Sequence, residues 1–206
     1  MAPSRSADRS LSAEERDVLL DIADNAIVDG LCGRPPSAPA LTLVPETLRE
    51  PSGVFVTLHV DGMLNGCIGS IDGVEPLAHG AARHAWAAAF TDPRLPALRQ
   101  QEYDRLLIEV SVLSPLTPIP ATSWSDLHEQ LETGTDGLLV AAGSRQGVFL
   151  PAVWTQLPDR DAFLDHLWLK AGLRPRDWPV DMTAWRFSAR KFARWAGRGP
   201  NSLEAA

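Results

Sequence analysis

The sequence predicts an α+β fold: mainly antiparallel sheets packed with helices, in two related halves that each run hairpin, helix, strand. Three observations lead there. Two hairpin signals, Asp61-Gly62 and Gly143-Ser144-Arg145-Gln146, each lie between β-rich runs. Each hairpin is followed by a helical pattern and then a further strand. Strands joined by tight turns are antiparallel, which excludes a doubly wound parallel sheet. The residues of the two halves do not visibly match, so the order of elements carries the relation.

The elements follow in order. Residues 1–10 read as a tail, residues 11–196 as one domain with room for two lobes, and residues 197–206 as a second tail. Ser12-Ala13-Glu14-Glu15 has capping-box form, and Val18, Leu19, Ile22, Ala23, Ala26 and Ile27 recur behind it at helical spacing, with Gly30 as the stop. Three prolines make 33–39 an irregular crossing. Residues 53–70 form the first hairpin, because Asp-Gly suits the positive φ of a type I′ turn. Pro76 opens a helix of small residues that ends before Asp92-Pro93. Residues 105–114 form a strand, and 114–120 leave it as an extended edge. Trp124–Leu131 is a short helix and 134–137 a turn. Residues 137–142 and 147–153 form the second hairpin. Asp159 caps a helix ended by Gly172, and 183–188 are a final strand before a short basic helix.

Composition narrows the function. The 206 residues are 45% apolar and 22% charged, an ordinary globular balance. A net charge of -7 argues against a general nucleic-acid binder, which needs a basic footprint. The local exception is Arg186, Arg190, Lys191, Arg194 and Arg198, read as the solvated face of the last helix, with an anion or RNA patch as the alternative. No apolar run approaches the ~20 residues of a membrane span, and the first ten residues lack a signal-peptide core. The expectation is a cytoplasmic protein. Two cysteines, Cys32 and Cys67, exclude a disulfide framework and a cluster held by four thiolates.

Two residues stand out chemically. Cys67 sits between Gly66 and Ile68-Gly69, where glycines leave room for a ligand or another backbone. Its thiol suits a nucleophile, a metal ligand or a small buried apolar group. With Asp61-Gly62 as a two-residue loop, paired residues sum to 123, so Cys67 faces Val56. Asn65 then shares the Cys67 face, while His59 points the other way. Glu109 interrupts an apolar strand, so its carboxylate must be paired, hydrogen-bonded or neutralised, either for function or for structure. Asp92-Pro93-Arg94 is a rigid turn whose arginine can take a carboxylate or phosphate. The histidines show no metal-ligand spacing, and no phosphate or dinucleotide loop is present. No metal or other cofactor is expected.

The string LNGCIGS at 64–70 resembles the signature of the AMMECR domain family, called AmmeMemoRadiSam system protein A in bacteria and archaea. GVFVTL at 53–58, AAFTDPRLPAL at 88–98, IEVSVLSPL at 108–116, DGLLV at 136–140, LPAV at 150–153 and KAGL at 170–173 follow the family's order. The likeness spans about residues 15–195. It implies an α+β fold with two related halves, and partnership with a Memo-like protein and a radical-SAM protein from neighbouring genes. The chain departs from the family at Asn65, where an arginine is usual, and at Ala152, where Gln or Glu is common. Two functions stand open. One is an accessory or substrate-binding component beside those partners, favoured by the missing arginine. The other is an enzyme acting on a small carboxylated or peptidic substrate, with Cys67 and Glu109 catalytic and Asn65, Gly66, Gly69, Asp92 and Arg94 binding.

Overall fold

The computed structural model describes residues 11–197. The tail expected at 1–10, and all of that at 197–206 except Gly197, lie outside the described residues. In chain order the elements are α1 (Ala13–Leu31), α2 (Glu46–Arg49), β1 (Val54–Val60), β2 (Met63–Ser70), α3 (Leu77–Phe90), β3 (Leu106–Leu113) and β4 (Thr117–Pro118). They continue with α4 (Trp124–Gln130), β5 (Gly137–Ala142), β6 (Arg145–Phe149), α5 (Arg160–Lys170), β7 (Thr183–Phe187) and β8 (Ala189–Trp195). The fold is α+β, with two antiparallel four-stranded sheets. Among the described residues no helix is long and apolar enough to cross a membrane.

Local chemistry explains most of these elements. The capping box at Ser12 forms as expected: its hydroxyl accepts from the Glu15 N–H at 3.1 Å, and the Glu15 carboxylate accepts from the Ser12 N–H at 2.7 Å. Asp61 (φ 52°) and Gly62 (φ 78°) both hold the positive φ that a type I′ turn requires. Gly30, however, does not stop α1. The helix runs on to Leu31, and Gly30 is where Phe90 of α3 lies: a Cβ there would sit 2.0 Å from the ring. Pro76 is the cap of α3 rather than its first residue, and α2 was not foreseen.

The chain divides into two compact units, Met1–Leu113 with Arg190–Ala206, and Ser114–Ala189. In the first, α1 and α3 bury Leu19, Ile27, Ala81, Ala85 and Ala88 against Val56, Leu58, Ile108 and Val110 of the sheet. In the second, Trp154 stacks on Phe163 at 3.8 Å within a core of Leu127, Leu138, Val140, Leu164 and Trp168. The sheets run β2-β1-β3-β8 and β6-β5-β7-β4, so each holds a hairpin, then the strand after the helix, then one strand more. That last strand follows directly on the third strand of the other sheet: β4 comes after β3, and β8 after β7.

Two expectations fail in the second half. The hairpin turns at Gly143-Ser144 alone, and β6 ends at Phe149, because Pro151 opens a 3-10 turn at Pro151–Thr155. The basic C-terminal segment is strand β8, not a helix. Burial alternates only at its end, where Arg194 and Ala196 are buried and Trp195 is exposed. Arg194 is 6% exposed and pairs with Asp21 of α1. The expected solvated stripe of Arg190 and Arg194 therefore does not exist.

Candidate functional site

Register decides what faces what around Cys67. The sum of 123 holds only for Val60↔Met63 and His59↔Leu64; a bulge follows, and Leu58 pairs with Gly66 and Thr57 with Cys67. The extra residue is Asn65, and it resets the alternation. Cys67 therefore faces Thr57, not Val56. Asn65 does not share its face: Asn65 and Gly66 lie between the outward Leu64 and Cys67, and Asn65 is 9% exposed, its Oδ1 without a partner among the described residues. His59, two residues from Thr57, falls on the Cys67 face, against expectation. The sulfur nevertheless bonds to Thr57 rather than to His59. Among the described residues, Cys67 Sγ accepts from the Thr57 hydroxyl at 3.3 Å.

The signature glycines serve the protein's own packing. A Cβ at Gly66 would lie 1.9 Å from the Ala88 carbonyl oxygen of α3, and one at Gly69 would lie 2.3 Å from the Phe55 ring. Close approach is thus by backbone and ring, one on each side of β2.

On its other side Thr57 pairs with Glu109 of β3. One sheet face thereby carries Cys67, Thr57 and Glu109 on three adjacent strands, each about 4.8 Å from the next. Lys191 of β8 completes the row, its Nζ donating to Glu109 Oε1 at 2.8 Å. The thiol and the carboxylate stand on opposite sides of the threonine. Glu109 is half-buried and its charge is neutralised by Lys191. All four groups belong to the first unit.

Behind Cys67 lies a clamp. β2 is an edge strand, so among the described residues the Cys67 main chain on the side away from β1 has no strand to pair with. The Asp92 carboxylate accepts from the Cys67 N–H at 3.0 Å, from the Arg94 N–H at 3.1 Å, and from Arg94 Nε and Nη2 at 2.9 and 2.6 Å. Arg94 Nη2 also donates to the Cys67 carbonyl at 2.8 Å. The guanidinium holds the Asp92 carboxyl well below the usual carboxylate range, with the two main-chain donors adding to it against the cost of burial. The same pairing raises Arg94 further above its ordinary value. The turn predicted to bind ligand therefore fixes the strand that carries the thiol.

Thr57 and Lys191 are the residues that sequence reasoning missed. Neither the bulge nor the strand character of 189–195 is visible in composition. Among the described residues no group of three His, Cys, Asp or Glu is placed to hold a metal. His79 bonds the Pro39 carbonyl at 3.1 Å, and His84 is buried beside Arg83.

Comparison with known proteins places this geometry. A model of the AMMECR1 family matches residues 20–192. A protein of Thermofilum pendens is 37% identical over 205 residues, covering 92% of this chain and 94% of its own length. One of Methanothermobacter thermautotrophicus is 37% identical over 187 residues, covering 88% and 95%. The crystal structure of uncharacterized protein PH0010 from Pyrococcus horikoshii superimposes with a TM-score of 0.80 at 34% identity, covering 92% of this chain and 96% of that one.

Proposed function

This chain belongs to the AMMECR1 family, and from that premise we propose that it is an accessory, substrate-binding component working with a Memo-like protein and a radical-SAM enzyme. One observation carries the reading: both carboxylates nearest the thiol are already engaged. Asp92 holds backbone and Arg94, and Glu109 holds Lys191. What the face offers is a row of thiol, hydroxyl, carboxylate and ammonium on rigid strands. Such alternating donors and acceptors suit a small carboxylated or peptidic ligand. Passing that ligand to the two partners needs recognition and not bond-making. Pull-down of the purified chain with the neighbouring gene products tests this: association at ~10 μM or tighter is expected. No association at ten times that concentration overturns it.

A second reading is that of an enzyme acting through Cys67 and Glu109, and the shared face of these residues favours it. Cys67→Ser separates the two. An accessory component keeps its partner association and supports the assembled reaction within about threefold. A nucleophilic enzyme loses turnover by at least ~1000-fold.

A further inference from the structure

The sheet face that carries Cys67 has a second row of side chains beside the first. His59 and Leu107 stand two residues along their strands from Thr57 and Glu109, and therefore on the same face. Leu64 of β2 pairs with His59 on one side. On the other side, the Ala196 N–H donates to the Leu106 carbonyl at 2.8 Å while Lys191 reaches Glu109. β8 thus runs back along β3, and Trp195 flanks Leu107. Leu106 and Ala196 are buried in the core on the helix side of the sheet, which leaves Leu107 and Trp195 on this one. We propose that this face binds an α-amino acid with a large apolar side chain, its charged head on Glu109 and Lys191 and its side chain on the row Leu64, His59, Leu107 and Trp195. The inference deepens the function proposed above, and rests on it, by naming the ligand class.

Charge complementarity selects the head. The Glu109 carboxylate and the Lys191 ammonium stand 2.8 Å apart, with side chains 23% and 44% exposed, so a ligand can reach both. An ammonium has three donors and a carboxylate about four acceptor sites, and the bond between them uses one of each. A ligand that is only a carboxylate would meet Glu109 as a like charge, and one that is only an amine would meet Lys191 so. The head of an α-amino acid carries both charges on neighbouring atoms. Laid head to tail on the pair, its ammonium faces Glu109 and its carboxylate faces Lys191, and no charge is left uncompensated.

The second row selects the side chain. Leu64 is 45% and Trp195 40% exposed, which is apolar surface open to solvent at both ends of one row. The two rows lie about 6.7 Å apart along the strands, a span that a benzyl group on the ligand's α-carbon covers. Its ring then rests on leucine and indole surface while the head stays on the polar row. All six residues belong to the first unit.

The experiment titrates the full chain with L-phenylalanine, phenethylamine, 3-phenylpropionate and L-alanine, reading the amide resonances of Leu107 and Lys191 and the indole N–H of Trp195. Phenylalanine is expected to shift all three saturably, with a Kd on the order of millimolar for so small a ligand. Phenethylamine and 3-phenylpropionate, each lacking one charge, bind at least ~10-fold more weakly, and so does alanine, which lacks the ring. Glu109→Gln and Trp195→Ala each weaken phenylalanine by about tenfold, while unchanged Leu138 and Val56 resonances certify the fold. Any of the three comparison ligands binding as tightly as phenylalanine overturns the proposal. So does the absence of any shift by ~50 mM phenylalanine, or a folded variant that binds as the parent does. If a variant does not fold, the four-ligand comparison on the parent chain decides. Failure of the function proposed above shows separately, as lost partner association in the pull-down, which these titrations do not touch.

Discussion

Gly66 shows how little freedom the signature has. Its missing Cβ lets the Ala88 carbonyl of α3 approach β2, and any side chain must displace backbone. Gly66→Ala is expected to cost roughly 3 kcal/mol or more, the upper end of overpacking, in urea unfolding. Asp92 is as demanding, since its carboxylate is 1% exposed and holds two main-chain and two side-chain donors at once. Asp92→Asn should lose about 1–3 kcal/mol, with Arg94 mostly in solvent and so contributing at the low end. Because the Asp92 carboxyl is held below its ordinary value, its contribution is present above about pH 4 and is lost as pH falls further. His84 acts at higher pH. Burial lowers its imidazole to about 4, with the Arg83 charge adding to the effect. The unfolded chain takes up that proton near pH 6.5, so the stability is whole above that value and drains away as pH falls towards 4. The loss is at most roughly 3 kcal/mol. His84→Gln should flatten this part of a pH–stability profile, and a profile that stays unchanged would show that His84 is not its source.

Strands and helices were more legible than the way they face. Ser12, Asp61-Gly62 and Asp159 each announced an element through their own backbone chemistry, and each forms the turn or cap expected. The bulge at Asn65 left no such mark. One unpaired residue moved Cys67 from the side of Val56 to that of Thr57, and with it the identity of every neighbour of the thiol. Nor did β8 show itself, because Arg190 and Arg194 fit a helical period as well as a strand period, and only burial separates the two. Cys67 and Glu109 could be picked out as chemically odd; their meeting across Thr57 depends on long-range pairing that a single sequence does not display. Deleting Asn65 removes the extra residue and leaves the pairs His59↔Leu64 and Thr57↔Cys67 in place, so Cys67 should keep its face. Its reaction with iodoacetamide in the folded state should stay within about threefold of the parent, and a slowing of ~10-fold or more would mean that Asn65 is not the extra residue.

At the scale of the whole molecule, each sheet takes its fourth strand from beyond the other's third, so a cut after Leu113 severs a cooperative unit. The fragment 1–113 lacks β8 and should be largely unfolded by circular dichroism; adding a peptide of residues 189–197 should restore structure. A fragment that folds alone would show β8 to be dispensable. Family membership accounts for the fold; in the function proposed above, recognition lies at the face of Cys67. The sharpest test uses that thiol as its own reporter. In a Cys32→Ser background Cys67 is the remaining cysteine, and its alkylation rate can be followed with and without the Memo-like and radical-SAM proteins. If this face is where the assembly engages the chain, the partners slow alkylation by at least about tenfold. A rate unchanged at saturating partner contradicts the account.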